Sequence, residues 1–268
     1  MNFHSVLLAA ADTFHLGRVD KASFPTQTLM EMLIQGIENR EVICGSREEP
    51  EDIDKWHGFR YCPENPSDVA ESQSKITWVN LNLVGTIDLQ WLPPIVLSLK
   101  VMKTKLSGSL NLTALPWSIQ FLTLSFNSFS GDVDLCYLPA EIKELDLSNN
   151  QLSGSLNLEQ LPQSIHILHV HCNRFTGTLC LLYLPPSLDE IAVDENELSG
   201  AVDLTRLPVR MTGLWLGSNN FEGKTDFSQL PEGLQELQVS YTNLSGKIVV
   251  QNRTKCFNVV HSSVELIR

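Results

Sequence analysis

Residues 138–160 read LPAEIKELDLSNNQLSGSLNLEQ, and this 23-residue unit decides the fold. Full copies of the unit begin at seven evenly spaced leucines, each followed by proline: Leu92, Leu115, Leu138, Leu161, Leu184, Leu207 and Leu230. A shortened copy, beginning near residue 76, comes before them. A fixed period of this size is typical of a solenoid, in which each coil stacks on the previous one.

The apolar positions of the unit predict a strand in every coil. Counting the leucine of Leu-Pro as position 1, apolar residues recur at positions 5, 8 and 10, as in Ile142, Leu145 and Leu147. Alternation at positions 8 and 10 is the pattern of a strand with one buried face. Strands at the same place in successive coils can pair in parallel about 4.8 Å apart. We therefore expect eight such strands to form a curved, concave sheet.

Two further positions are constrained by the backbone. Position 17 is glycine in every full copy, which predicts a positive φ or a close backbone approach. Position 13 is asparagine in five copies, and an amide there can bond the backbone groups left free where the strand ends. These structural asparagines are Asn127, Asn150, Asn173, Asn196 and Asn219. The proline at position 2 leaves little room for a helix, so the convex side should be short, extended or irregular, with space for a narrow second strand layer.

The unit resembles a leucine-rich repeat. Its Leu-Ser-Gly motif, at residues 106–108, 152–154, 198–200 and 244–246, is similar to that of plant receptors. The Leu-Pro-x-x-Leu opening and the Asp-Leu after glycine, as in Asp134-Leu135, resemble the uncharacterised leucine-rich repeat family of kinetoplastid protists. The resemblance implies a mainly β, right-handed solenoid or horseshoe with a parallel concave sheet and an N-terminal capping helix.

Four segments are expected along the chain. Residues 1–25 form a leader, and residues 26–75 form an N-terminal cap. A helix over about 28–43 is predicted in this cap, because Thr28 and Glu31 have the spacing of a capping box. Residues 76–252 contain the repeats. Residues 253–268 form a C-terminal cap, with a closing strand predicted after residue 255.

The composition argues against several classes of function. A net charge of −12 and a pI near 5.0 argue against nucleic-acid binding, and no apolar run is long enough to insert into a membrane. The six cysteines lack zinc-ligand spacing. Cys44 and Cys62 are the pair expected in an oxidising compartment, and both stay free in a reducing one. An intracellular location, cytoplasmic or organellar, is favoured, with a secreted or cell-surface protein as the alternative.

The variable positions 7, 9, 11 and 12 flank the buried leucines and are expected to face outward from the concave sheet. Exposed aromatic residues beside charges are typical of protein-binding surfaces. In the shortened copy, Trp78 and Asn80 are assigned to the same outward positions. The candidate partner-binding residues are Lys100, Lys103, Phe121, Phe126, Glu144, Asp146, His169, His171, Glu190, Asp194, Trp215 and Tyr241.

Three function classes follow. The first is a non-catalytic scaffold for protein–protein interaction, or a subunit of a larger assembly, whose partners are one or more proteins. The second is a secreted or cell-surface recognition protein, for which Asn111, Asn243 and Asn252 have the form of glycosylation acceptors. The third is an enzyme, which rests only on His169 and His171. These histidines, with Asp146 or Asp194, resemble part of a metal site, but no motif completes it, and no cofactor is indicated.

Overall fold

The computed structural model of the chain describes residues 21–62, 73–250 and 255–267. These residues form a mainly β solenoid with two sheets that run along its length. Most of the predicted leader lies outside the described residues. So does the acceptor asparagine at position 252.

The concave sheet contains the strands predicted from positions 8 and 10. Eight coil strands pair in parallel, as expected, and a strand from each cap extends the sheet to ten. Its strands are β1 (Phe59–Cys62), β2 (Gln73–Val79), β4 (Val96–Met102), β6 (Phe121–Thr123), β8 (Glu144–Asp146), β10 (Ile167–His169), β12 (Glu190–Ala192), β14 (Gly213–Trp215), β16 (Glu236–Gln238) and β18 (Cys256–Asn258). Only the pairing of β1 with β2 is antiparallel within the described sheet.

A second parallel sheet passes through the Leu-Ser-Gly segment and is broader than the narrow layer that the sequence allowed. Its nine strands are β3 (Val84–Gly85), β5 (Lys105–Gly108), β7 (Ser128–Asp132), β9 (Gln151–Ser155), β11 (Arg174–Gly177), β13 (Glu197–Gly200), β15 (Asn220–Lys224), β17 (Asn243–Val249) and β19 (Ser263–Ile267). The repeat glycine lies within or at the end of these strands. Gly154, with φ +85°, has the positive φ that was predicted.

Two local hydrogen bonds turn the chain in each coil. The carbonyl of the position-2 proline accepts from the N–H of position 5, as Pro139 does from Ile142 at 3.1 Å. On the convex side, an aspartate or asparagine at position 20 accepts from the backbone two residues later. Asp134 Oδ1, for example, accepts from the N–H of Cys136 at 2.8 Å. Cys180 occupies this position in one coil.

The core fills the space between the two sheets. In the central coil Leu145, Leu147 and Leu152 are fully buried, as the repeat predicts. At position 15, leucine alternates with phenylalanine from coil to coil, and the buried rings are Phe129, Phe175 and Phe221. The continuous apolar core explains why a coil is stable only against its neighbours.

The N-terminal cap contains two short helices instead of the single predicted one. Helix α1 is Thr26–Leu33 and helix α2 is Glu41–Cys44. The first has no side-chain cap, so the predicted capping box is wrong. Helix α1 ends at Leu33, and Gly36 then approaches Thr86 of the first coil so closely that a Cβ there would overlap it. This close approach lets Ile37 bridge to Gly85, which joins the cap to the second sheet.

The register of the shortened coil also differs from the prediction. Ile76 pairs with Leu99, which places Trp78 beside Val101 at an inward position. Trp78 is fully buried, and its indole N–H donates to the His57 carbonyl at 2.9 Å. Its assignment to the outward surface was therefore wrong. The first coil has the same register as the full copies, because Trp78 lies 23 residues before Val101 and no residue is missing between it and Leu92.

Candidate functional site

The outward surface of the concave sheet consists of two aligned rows. Pairing places position 9 residues side by side, in the order Lys100, Thr123, Asp146, His169, Ala192, Trp215 and Gln238. Position 7 gives the row Ser98, Phe121, Glu144, Ile167, Glu190, Gly213 and Glu236. The inward residues between these rows are uniformly aliphatic, so the coils differ from one another mainly on this surface.

The N-terminal part of the surface is basic and aromatic. Lys103 Nζ lies 5.5 Å from the centre of the Phe126 ring, and Lys143 Nζ lies 5.9 Å from that of Phe121. Both distances are those of cation–π contacts. The Phe126 side chain is 46% exposed, so it is available to a partner. Lys100 lies on the same sheet, in register with Thr123.

A pocket lies towards the C-terminal part of the surface and brings together five of the predicted site residues. Its volume is about 440 Å³, and we call it the Trp215 pocket. Its lining residues are His169, His171, Glu190, Ala192, Asp194, Trp215 and Gln238. The other predicted residues lie outside this lining. Tyr241, for instance, stacks against His261 of the C-terminal cap, with ring centres 4.6 Å apart.

The aromatic rings of the pocket contact one another edge to face. The rings of His169 and Trp215 are 6.4 Å apart and nearly perpendicular, and those of His169 and His171 are 5.9 Å apart. Nε2 of His171 faces Asn149 Nδ2 at 3.4 Å, whereas its buried Nδ1 has no hydrogen-bond partner within the described residues. These contacts hold the rings as one wall of the pocket.

The acidic side chains of the pocket lining are Glu190 and Asp194. Glu190 Oε2 lies 3.6 Å from His169 Nε2. Burial raises the pKa of the Asp194 carboxyl, while the nearby His171 opposes that rise. The lining therefore places two carboxyl groups beside two histidines, and one of the carboxyl groups is partly withdrawn from water.

Position 12 is exposed at Phe126 and Tyr241, as expected, whereas position 11 is outward only in some coils, as at His171 and Asp194. At position 11, Ser125, Ser148 and Ser240 are buried. Position 12 is left-handed in every full copy, with φ of +53° at Lys103 and Cys172, so the chain turns there. No glycine signals this turn in the sequence. Burial and a hydrogen bond to Glu195 raise the pKa of the Cys172 thiol to about 12.

The position-13 asparagines connect each coil to its neighbour. Asn150 Nδ2 donates to the carbonyls of Leu147 and Ser148 in its own coil and to that of Leu124 in the preceding coil, at 3.0 to 3.1 Å. Its Oδ1 accepts from the N–H of Phe129. The amide thus satisfies backbone groups of two coils at the end of the concave strand.

The sequence prediction missed a second set of aromatic residues, away from the concave sheet. Trp117, Tyr137 and Tyr183 are 74%, 69% and 61% exposed. They occupy positions 3 and 23, next to the Leu-Pro turn. Their aromatic character at positions that are polar in other copies, such as Gln160 and Gln163, was the available signal.

The pocket lining contains no serine, threonine, cysteine or lysine that could act as a nucleophile. Within the described ranges, no group of three or more histidines, cysteines or acidic residues is arranged to hold a metal ion. In the same ranges, no helix is long and apolar enough to cross a bilayer. The side chain of Cys62 is not described, so its conditional pairing with Cys44 stays a prediction.

The repeat, the two sheets and the amide contacts define a leucine-rich repeat solenoid. The family model for the Leucine Rich Repeat matches residues 141–161. The chain thus has the leucine-rich repeat fold that the sequence pattern predicted. No curated protein matches it.

Solved structures share the fold. A plant ice-binding protein has a TM-score of 0.52 at 20% identity, over 91% of this chain and 95% of its own. The Arabidopsis receptor kinase HAESA has a TM-score of 0.52 at 24% identity, over 65% of this chain, which spans only 31% of HAESA. YopM from Yersinia enterocolitica has a TM-score of 0.50 at 26% identity, over 66% of this chain and 40% of its own.

Proposed function

We propose that this protein is a non-catalytic scaffold, or a subunit of a larger assembly, that binds partner proteins through its concave sheet. The observation that carries the proposal is the contrast between the inward and outward rows of that sheet. In the seven full copies the inward rows are aliphatic, whereas the outward rows differ from coil to coil in charge, size and aromatic character. A differentiated surface of this kind can select a partner.

The fold of the solved relatives supports a role in interaction or recognition. The HAESA structure includes the peptide hormone IDA and the co-receptor SERK1. We extend to this chain only the general expectation of a protein partner. We also propose that the chain is related to the kinetoplastid leucine-rich repeat family and that it is intracellular.

The test is recovery of the tagged full-length chain from its native cells, with bound proteins identified by mass spectrometry. A four-alanine variant at Phe121, Phe126, Trp215 and Tyr241 should lose its stoichiometric partners, because aromatic anchors contribute much of the binding energy. The matched control replaces Trp117, Tyr137 and Tyr183, which are also exposed aromatic residues but lie off the sheet. This control should retain the partners.

Partners that survive the four-alanine change but disappear in the control would place the interface off the concave sheet. Circular dichroism and thermal unfolding of both variants establish that each is folded. The two sets leave the buried core residues intact, so both variants should retain the solenoid.

The alternative is a secreted or cell-surface recognition protein. The exposure of Asn111 and Asn243, two of the acceptor asparagines, is consistent with it. The same mass spectra decide between the two locations. An intact Met1 with no attached sugar would exclude a secreted or cell-surface protein. A trimmed and glycosylated chain would instead exclude an intracellular protein.

A further inference from the structure

At the Trp215 pocket, two outward positions that carry larger side chains in most other coils, positions 7 and 9, are occupied by Gly213 and Ala192. Strand β14 lies in the segment Gly213-Leu214-Trp215-Leu216-Gly217, so a glycine lies two residues away on each side of the indole. On the adjacent strand, Ala192 occupies the outward position between His169 and Trp215. These small residues leave an open hollow in a surface that is otherwise covered by side chains.

Gly213 also fixes the orientation of the indole. A Cβ at this residue would overlap Cη2 and Cζ3 of Trp215, so the ring lies directly over the glycine. The perpendicular contact with His169 restrains the ring from the neighbouring side. The aromatic surface is therefore positioned before any ligand arrives, which lowers the entropy lost on binding.

Carboxylates flank this indole on the neighbouring strands. In the row of Gly213, the adjacent residues are Glu190 on one side and Glu236 on the other, and Asp194 contributes to the pocket lining. Among the ion pairs of the described residues, no lysine or arginine is a partner of these three carboxylates. The pocket thus combines a positioned indole with carboxylates that have histidine neighbours but, among the described residues, no lysine or arginine ion-pair partner.

We propose, as an extension of the scaffold function proposed above, that the Trp215 pocket binds an arginine side chain of the partner protein. A guanidinium is planar, stacks on an indole and donates hydrogen bonds in a fork that fits carboxylates. Burial of Asp194 away from water strengthens its attraction for such a group. An acidic ligand would be repelled, and the lining lacks the geometry of a metal site.

The experiment uses the full-length chain and three blocked tripeptides, with arginine, lysine or citrulline between two glycines. Citrulline has the shape of arginine but no charge. Binding is followed by the NMR signal of the Trp215 indole N–H, assigned with Trp215→Phe. The arginine peptide should shift this signal in a saturable manner, the lysine peptide should bind more weakly, and the citrulline peptide should leave it unchanged.

Two variants locate the binding site. Glu190→Gln and Asp194→Asn should each weaken the arginine peptide about tenfold, as expected for loss of one charged hydrogen bond. Glu197→Gln, at an exposed position on the second sheet, is the matched control and should bind normally. Equal binding of arginine and citrulline, or unchanged binding in the Glu190→Gln and Asp194→Asn double variant, would overturn the proposal.

The outcome separates this inference from the scaffold proposal. If the four-alanine variant loses its partners but the arginine peptide does not bind, the scaffold function stands and the arginine pocket is wrong. If the peptide binds but partner recovery does not depend on the concave sheet, the pocket stands and the scaffold interface is wrong.

Discussion

The benzene ring of the Trp215 indole lies against Gly213, two residues earlier on the same strand, in the space that a Cβ would occupy. No positive φ is involved, so glycine is required here by space and not by backbone conformation. The conformation of the half-buried Trp215 side chain thus depends on the absence of a side chain at Gly213.

Replacing Gly213 by alanine should displace the indole. We expect the free energy of unfolding to fall by about 1–3 kcal/mol, as in other overpacked sites, together with a change in the Trp215 indole N–H signal. Gly233→Ala is the matched control because its Cβ would lie 3.7 Å from the nearest atom, the Met211 carbonyl oxygen. Denaturant unfolding should show the control unchanged or stabilised by about 0.4–1 kcal/mol.

Replacing Asn150 by alanine should lower the free energy of unfolding by about 1–3 kcal/mol, because buried backbone groups lose their partners. Three carbonyls and one N–H are affected, in two coils. The neighbouring Gln151 is exposed, and Gln151→Ala should change stability by less than about 0.5 kcal/mol. Equal losses in urea unfolding would show that the amide contacts do not stabilise the coil ends.

Replacing Cys180 by asparagine should stabilise the protein. This coil lacks the side-chain acceptor that five of the seven full copies have at position 20, such as Asp134. Supplying the acceptor should add about 0.5–1.5 kcal/mol, the net value of one hydrogen bond. Cys180→Ala removes the thiol without adding the acceptor, so a gain shared by both variants would assign the effect to loss of cysteine.

The Cys172 thiol should resist alkylation at pH 8, because its pKa of about 12 leaves almost no thiolate. Exposed Cys256 is the internal reference, and labelling of both can be followed by mass spectrometry. Glu195→Gln removes the carboxylate that helps to hold the proton, so it should speed labelling of Cys172 alone. If the two cysteines react at equal rates in the parent chain, the proposed protection of Cys172 is absent.

Asp194→Asn should raise the melting temperature at pH 7 while weakening the arginine peptide. Burial raises the pKa of Asp194, so its contribution to stability is fully present below the unfolded-state pKa. It is lost as the pH rises through the folded-state pKa. The gain from asparagine should therefore shrink as the pH is lowered towards the ordinary aspartate range.

Asp203 provides a control, because its pKa is shifted in the direction opposite to that of Asp194. Hydrogen bonds from Thr205 lower the pKa of its carboxyl. Its contribution to stability is therefore present above the unfolded-state pKa and is lost as the pH falls through the folded-state pKa. Asp203→Ala should lower the melting temperature at pH 7 and have less effect in acid. A pH scan in which both variants behave alike would refute the assignment of these shifts.

The period of the sequence predicts most of the solenoid. Leu145, Leu147 and Asn150 repeat at one interval, and that interval fixes which residues are buried and which strands pair. It cannot predict a feature that occurs once. The close approach of Gly36 to Thr86 is such a feature, because it depends on contact between two separate segments. The inward position of Trp78, by contrast, follows from the period, because Trp78 lies 23 residues before Val101.

The candidate site could be predicted only in part, because features that repeat follow from the period and features that occur once do not. Outward aromatic and charged residues, such as Trp215 and Asp194, follow from strand alternation. The hollow between them depends on Gly213, and a single glycine in a repeat carries no pattern that distinguishes a cavity from chance. The sequence also gives no sign of the left-handed turn at position 12, because residues as different as Lys103 and Phe126 adopt it.

The aligned rows of the concave sheet also set a length scale. Lys100 and Trp215 occupy the same row five strands apart, which corresponds to about 24 Å at the spacing of paired strands. An extended peptide needs about seven residues to cover that distance. If an extended partner segment places its arginine in the Trp215 pocket, as proposed, we expect an acidic group that pairs with Lys100 to lie about seven residues from that arginine.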